Sequence, residues 1–216
     1  MTVILYFLTK FPEELAKLRS ELAPLMTRTA ETGVSFPAEK LASLDHLNGV
    51  INEALRLYPV VPTATYRKAP PQGVSIAGTF IPGGTDVWTP QYTIGRSEEI
   101  YQEPNRFLPE RWYKYPEMVK NPSAFAPFLI GKPTIPTLVT SSRVLTMTCN
   151  STGPYNCIGK PLALQTIRST IAKLVCTFEI AFPPGEDGSG FEEGIKDRWI
   201  LGVPKLPLTL LKRLSQ

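Results

Sequence analysis

Apolar positions recur at helical spacing along several stretches of this chain, and between them the pattern changes to alternation. Met1 to Lys10 is almost wholly apolar and opens without a capping residue, so it reads as the end of a helix begun earlier. Pro12 starts a second helix, PEELAKLRSELAPLM, acidic in its first turn and apolar at Leu15, Leu18, Leu22 and Leu25. A short helix is expected over Pro37–Leu44, with Gly33 in the loop before it. The stretch LDHLNGVINEALRLYP, Leu44–Pro59, lines up Leu44, Leu47, Ile51, Leu55 and Tyr58 on one stripe and is ended by Pro59. Its Glu53 and Arg56 lie three residues apart, share a face and can pair.

From Val60 to Pro90 the pattern is that of strands. TATYRKA, VSIAGTFI and TDVWTP alternate or carry β-branched residues, and Gly78 and Pro82-Gly83-Gly84 supply turns. Arg67 sits on the first of these strands, where an arginine can equally be an exposed edge residue. Gln91–Trp112 gives a short helical piece, SEEIY, and then proline-rich coil ending in FLPERW. A buried coil needs side-chain donors for its carbonyls, and Arg111 is the natural one. Pro154–Val175, PYNCIGKPLALQTIRSTIAKLV, then places Cys157 at the mouth of a helix with apolar residues at Ile158, Leu162, Leu164, Ile167, Ile171, Leu174 and Val175. Gly159 lets the backbone pass close to whatever Cys157 touches, and Pro161 suits the first helical turn. A lone cysteine is ordinarily a small buried hydrophobe; this one has a positive helix end beside its sulfur, a setting that suits a thiolate. Beyond Val175, TFEIAFP, RWILGV and LPLTLLKRL read as short strands, with a flexible GEDGSG link between the first two.

The composition narrows the possibilities. The 216 residues are 43% hydrophobic, enough for a real core and unlike a disordered chain or a membrane bundle. The 23 basic and 19 acidic residues are scattered without a block, so the net charge of +4 makes no case for nucleic acid and only a weak one for an acidic partner surface. Three cysteines, Cys149, Cys157 and Cys176, make no disulfide framework, and with one histidine there is no zinc spacing. The apolar start MTVILYFLTKF is too short to span a bilayer and lacks the features of a signal peptide. The 22 prolines predict long ordered coil in the middle of the chain.

Three motifs stand in order: E-A-L-R at Glu53 to Arg56, F-L-P-E-R-W at Phe107 to Trp112, and F-L-I-G … P-Y-N-C-I-G around Cys157. Together they make the chain resemble the heme-thiolate monooxygenases, the cytochromes P-450, over roughly that family's C-terminal half. The fold class implied is mainly α with small β-sheets (α+β), an incomplete C-terminal portion of the cytochrome P-450 fold. The resemblance implies heme b (iron protoporphyrin IX) as cofactor and Cys157 as the axial thiolate on its iron, a ligand that favours O–O cleavage. It makes Glu53, Arg56 and Arg111 a structural triad locking the coil that leads to the cysteine loop. It gives Arg67 a heme propionate to bind, places Phe128 and Gly131 at the start of that loop with Phe128 beside the thiolate, and has Gly159 close the turn. Tyr155 stands where many members carry Arg or His, and its phenol can donate to a propionate without neutralising it. This P-Y-N-C-I-G form is common in fungal members. The partners implied are NADPH-cytochrome P-450 reductase, docking on a positive proximal face for which Lys160 and Arg168 are candidates, and a small apolar substrate. The family usually sits on the endoplasmic reticulum membrane through an N-terminal anchor, which is expected to lie outside this chain.

The chain departs from the family pattern in two ways. Between Gly131 and Pro154 stand 22 residues, Lys132–Gly153, rich in Thr and Ser, without an acidic residue and without clear periodicity. Cutting them restores FLIGPYNCIG. The codons for Gly131-Lys132 can hold a GT-AAG donor, those for Thr152-Gly153 an acceptor, and those for Leu145-Thr146 a branch signal. Residues 132–153 therefore read as a translated, unspliced intron; a genuine surface insertion is the rival. On the intron reading Cys149 and the Asn150-Ser151-Thr152 glycosylation pattern carry no function. The family's acid–threonine pair, which delivers protons to bound oxygen, is expected upstream of Met1, so no catalytic residue is assigned within the chain. A heme with one face uncovered implies exposed apolar surface, aggregation or weak heme binding, which keeps a non-catalytic truncated fragment open beside the monooxygenase. A cysteine-nucleophile enzyme using Cys157 and His46 is a third reading and needs the two within hydrogen-bond reach.

Overall fold

A computed structural model describes residues 1–29, 33–63, 66–128 and 157–213. Four helices carry the core. α1 (Thr2–Lys10) buries Val3, Ile4, Tyr6, Phe7 and Leu8, and α2 (Pro12–Leu22) buries Leu15, Leu18 and Leu22. Pro24 tightens the end of the second expected helix into a separate 3₁₀ turn, Ala23–Leu25, which leaves Leu25 outside the buried core. Gly33, expected in a loop, instead begins β2 (Gly33–Ser35), which pairs antiparallel with β1 (Thr27–Thr29). After the short α3 (Ala38–Ala42), α4 (Asp45–Leu57) buries His46, Leu47, Val50, Ile51, Glu53, Ala54, Arg56 and Leu57. Of the predicted stripe only Leu47 and Ile51 are fully buried, with Leu44, Leu55 and Tyr58 half-buried, so the buried face is shifted around the helix and takes in the charged Glu53 and Arg56. Tyr58 is the cap of α4 rather than its last turn. The long α6 (Lys160–Thr177) buries Ile171, Ala172, Val175 and Cys176 against these helices.

Around this core lie five separate two-stranded antiparallel pairs among the described residues, in keeping with the mixed class and small sheets expected. β3 (Arg67–Lys68) pairs with β6 (Asp86–Val87), and β4 (Val74–Ile76) with β5 (Thr79–Ile81) through a turn whose Ala77 and Gly78 both have positive φ. The helical piece expected at SEEIY is a hydrogen-bonded turn from Ser97 to Tyr101; the helix lies earlier, as α5 (Gln91–Ile94). GEDGSG is not simply a flexible link, because α7 (Ser189–Glu193) starts within it and buries Phe191, whose ring stacks on Tyr6 at 4.7 Å. β7 (Phe178–Ala181) pairs with β10 (Thr209–Lys212), and β8 (Lys196–Arg198) with β9 (Ile200–Gly202) around Trp199. No helix among the described residues is long and apolar enough to cross a membrane.

Candidate heme-thiolate site and its charged scaffold

The proline-rich coil between α5 and the cysteine loop makes many turn-type backbone bonds but leaves several carbonyls without a backbone donor, and these must be met by side chains. Two arginines meet them. Arg56 of α4 donates Nη1 to the Gly95 and Pro104 carbonyls and Nη2 to the Arg106 carbonyl. Arg111, in the 3₁₀ turn Pro109–Trp112, donates Nη1 to the Gln102 carbonyl at 2.7 Å and Nη2 to the Glu103 carbonyl at 3.1 Å. Glu53 joins them. Its Oε1 accepts from Arg56 Nη2 at 2.7 Å, Arg111 Nε at 2.9 Å and the Leu108 amide at 3.0 Å. Its Oε2 accepts from Arg56 Nε and from the Trp112 indole, each at 2.9 Å. Glu53 and Arg111 are 0% exposed and Arg56 2%. The structure thus brings the three residues into one buried network, and it adds Trp112 and Leu108, which the reading of the sequence had not singled out. Two glycines permit the approach. A Cβ on Gly49 would meet the Pro109 carbonyl at 2.7 Å, and one on Gly95 would collide with the Arg56 carbonyl. The only sequence signal for Gly49 is a glycine inside a helix, where it otherwise costs stability.

Cys157 lies just before α6 and is exposed. Its amide donates to the Phe128 carbonyl at 3.2 Å, and Lys160 Nζ lies 5.8 Å from the centre of the Phe128 ring. A Cβ on Gly159 would have Cys157 Sγ at 3.8 Å as its near neighbour. The apolar stripe predicted for α6 divides here: Ile171 and Val175 are buried, whereas Ile158 is 99% and Leu162 70% exposed beside the thiol. A soft sulfur ligand at a helix start, flanked by bare aliphatic side chains and a glycine, has the donor chemistry and shape that a heme face requires. Arg67, on β3, is exposed and donates one hydrogen bond, to the Tyr66 carbonyl. Tyr155, Gly131 and the segment 132–153 lie outside the described residues, as does Cys149.

The Cytochrome P450 family model matches residues 1–132. The chain belongs to the cytochrome P450 family. The match runs through both charged motifs of the P450 scaffold and stops at the residue where the inserted segment is expected to start. Among curated P450 relatives, a cytochrome P450 monooxygenase notG' of Aspergillus versicolor is 44% identical over 99% of this chain and 35% of its own length. Tryprostatin B 6-hydroxylase of Aspergillus fumigatus is 42% identical over 99% of this chain and 34% of its own length, and cytochrome P450 monooxygenase sthD of Phaeosphaeria nodorum is 38% identical over 97% and 38%. The chain therefore spans about a third of the length of these P450s, all of them fungal.

Arg168 is half-buried, and its Nε donates to Asn48 Oδ1 of α4 at 2.8 Å, so its guanidinium joins α6 to α4. One other expectation meets a different outcome. His46 is buried, with Nδ1 3.0 Å from the Tyr113 hydroxyl and Nε2 3.1 Å from the Glu14 carbonyl. Both ring nitrogens are engaged on the α2 side of the core, whereas Cys157 is exposed and tied to Phe128, so no cysteine–histidine pair forms.

Proposed function

We propose that the protein this chain represents is a monooxygenase in which Cys157 would hold heme b through its thiolate. The observation that carries the reading is the exposed Cys157 at the start of α6 among uncovered Ile158 and Leu162, in a chain of this family. When bound, the heme supplies dioxygen activation, one oxygen atom entering an apolar organic substrate and the other leaving as water. The chain's own residues hold and orient it. The thiolate is the ligand, the Cys157 amide bonded to Phe128 fixes where the sulfur points, and the absence of a side chain at Gly159 keeps the approach open. Arg67 would meet a propionate with a charge-assisted hydrogen bond, and Tyr155 would donate one more. The network of Glu53, Arg56 and Arg111 acts at a distance, by holding the coil that leads into the cysteine loop. Electrons would come from NADPH-cytochrome P-450 reductase, with Lys160 on the docking face, at the endoplasmic reticulum membrane. Similarity to a tryprostatin B 6-hydroxylase supports hydroxylation as the reaction.

Residues 132–153 form an insertion in the cysteine loop, of intron origin, and the family match ending at residue 132 supports that boundary. With those residues retained, the loop cannot hold the thiolate, and the product is a non-catalytic one with family motifs.

The test is to sequence the transcript across the codons for Phe128 to Cys157 and to express the full-length protein with and without the 22 codons. The form without them is expected to give the carbon monoxide spectrum of a thiolate-ligated heme, and both the retained form and Cys157→Ala are expected to lose it. A thiolate spectrum that survives Cys157→Ala would overturn the ligand assignment; one given equally by the retained form would overturn the insertion reading. Genomic sequence without GT and AG at the two boundaries would sink the intron origin.

A further inference from the structure

A second charged cluster, which heme binding does not use, shares the Pro109–Trp112 turn with the triad. Glu14 of α2, His46 of α4 and Glu110, one residue before Arg111, are all at least nine-tenths buried, at 6%, 4% and 6% exposure. One ligand atom from each lies within 4.8 Å of the others. Lys17 bridges the outer carboxylate oxygens, reaching Glu14 Oε1 at 2.7 Å and Glu110 Oε1. The inner oxygens, Glu14 Oε2 and Glu110 Oε2, are buried without a hydrogen-bond partner. His46 faces them, its Nε2 3.5 Å from Glu14 Oε2.

We propose that Glu14, His46 and Glu110 form a divalent-cation site of the zinc class. Two carboxylates and one imidazole are a donor set for such an ion, and 3.5 Å between two donors is close to the ~3.4 Å edge of a tetrahedral site with ~2.1 Å bonds. The inner oxygens cost stability while unpaired and are the atoms an ion would take. Charge agrees as well. Lys17 is the resident cation, but its side chain is 48% exposed and can swing into solvent, leaving two carboxylates to balance a doubly charged ion. Tyr113 is the outer support: its hydroxyl can accept from His46 Nδ1–H, which turns the Nε2 lone pair toward the carboxylates. His46 Nε2 then gives up its contact with the Glu14 carbonyl. Bound there, the ion would staple α2, α4 and the Pro109–Trp112 turn together.

The experiment is a Zn²⁺ titration of the full-length protein in competition with a fluorescent zinc chelator, with circular dichroism confirming that each variant is folded. Glu14→Gln and His46→Gln should each weaken binding by about tenfold or more, and Tyr113→Phe by about tenfold. Lys17→Met should tighten it by about tenfold, because the competing charge is gone; misfolding cannot mimic a gain in affinity. Comparing variants separates this site from zinc taken by Cys157, which none of them alters. Binding that is absent, or unchanged in all four variants, would overturn the proposal. An unfolding midpoint that Zn²⁺ leaves unchanged would also overturn it.

Discussion

The charged cluster around Glu53 and the one around Glu14 and Glu110 both draw on the Pro109–Trp112 turn and differ in how completely they are satisfied. Around Glu53, both carboxylate oxygens are used by five donors, and the two arginines direct their remaining N–H groups to coil carbonyls. Around Glu14 and Glu110, one oxygen of each carboxylate is paired and the other is not. Burying charge is unfavourable, and what offsets the penalty is full pairing and full hydrogen bonding, not proximity of opposite signs. The planar guanidinium explains much of the contrast. Arg56 and Arg111 each present a fixed fork of donors that spans a carboxylate and two or three carbonyls, whereas the single ammonium of Lys17 reaches two oxygens and remains half in water.

Breaking the satisfied cluster should have the largest effect. Arg56→Met leaves Glu53 with Arg111, Trp112 and the Leu108 amide, strips the Gly95 and Pro104 carbonyls of their donor and leaves the Arg106 carbonyl only Arg111 Nη2 at 3.4 Å, so a loss of about 3–5 kcal/mol is expected. Denaturant unfolding of the full-length protein measures it, and a loss below about 1 kcal/mol would mean the coil holds itself. Arg56→Lys should recover only part, since an ammonium cannot reproduce the fork. Next comes Trp112→Phe. It removes one donor from Glu53 Oε2, which keeps Arg56 Nε, and leaves the ring's packing on Phe125 at 4.4 Å largely intact. The expected loss is about 1–2 kcal/mol, and a neutral substitution would show that the indole hydrogen bond is redundant.

Much of the first cluster was legible because the motifs carry its residues. Glu53 and Arg56 share a face by helical spacing, and a proline-rich buried coil demands a donor such as Arg111. The face they occupy was not legible, because the apolar stripe Leu44, Leu47, Ile51, Leu55, Tyr58 left them on the polar side of α4. Tertiary satisfaction overrode amphipathic patterning, and Gly49 and Gly95 permit it by letting backbones touch. The second cluster was not legible at all. Glu14 and Lys17 read as an ordinary i, i+3 charge pair at the start of α2, and His46 shows its role only when α2 and α4 pack. At the cysteine loop, spacing gave the helix but not the division of its stripe, in which Ile158 and Leu162 stay bare while Ile171 and Val175 are covered.

The smallest effect concerns acid. Burial tends to push the Glu110 carboxyl up, but its hydrogen bond to Lys17 and the positive charge there outweigh that and hold it below the ordinary 4.5. A carboxylate whose value is lower folded than unfolded contributes stability above the unfolded value, and that contribution is lost as pH falls through the folded one. Glu110→Gln should therefore cost about 1 kcal/mol near neutral pH, since Lys17 is half exposed and water partly replaces the lost partner. The difference between wild type and variant should shrink once pH drops below about 4.5 and vanish when both carry a neutral side chain. Denaturant midpoints from about pH 7 to about pH 3, taken with a chelator present so that no cation contributes, give the comparison. A gap that stays constant across that range would mean that Glu110 acts through shape alone. A gap that grows toward acid would mean that the unpaired Oε2 costs more than the bond to Lys17 returns.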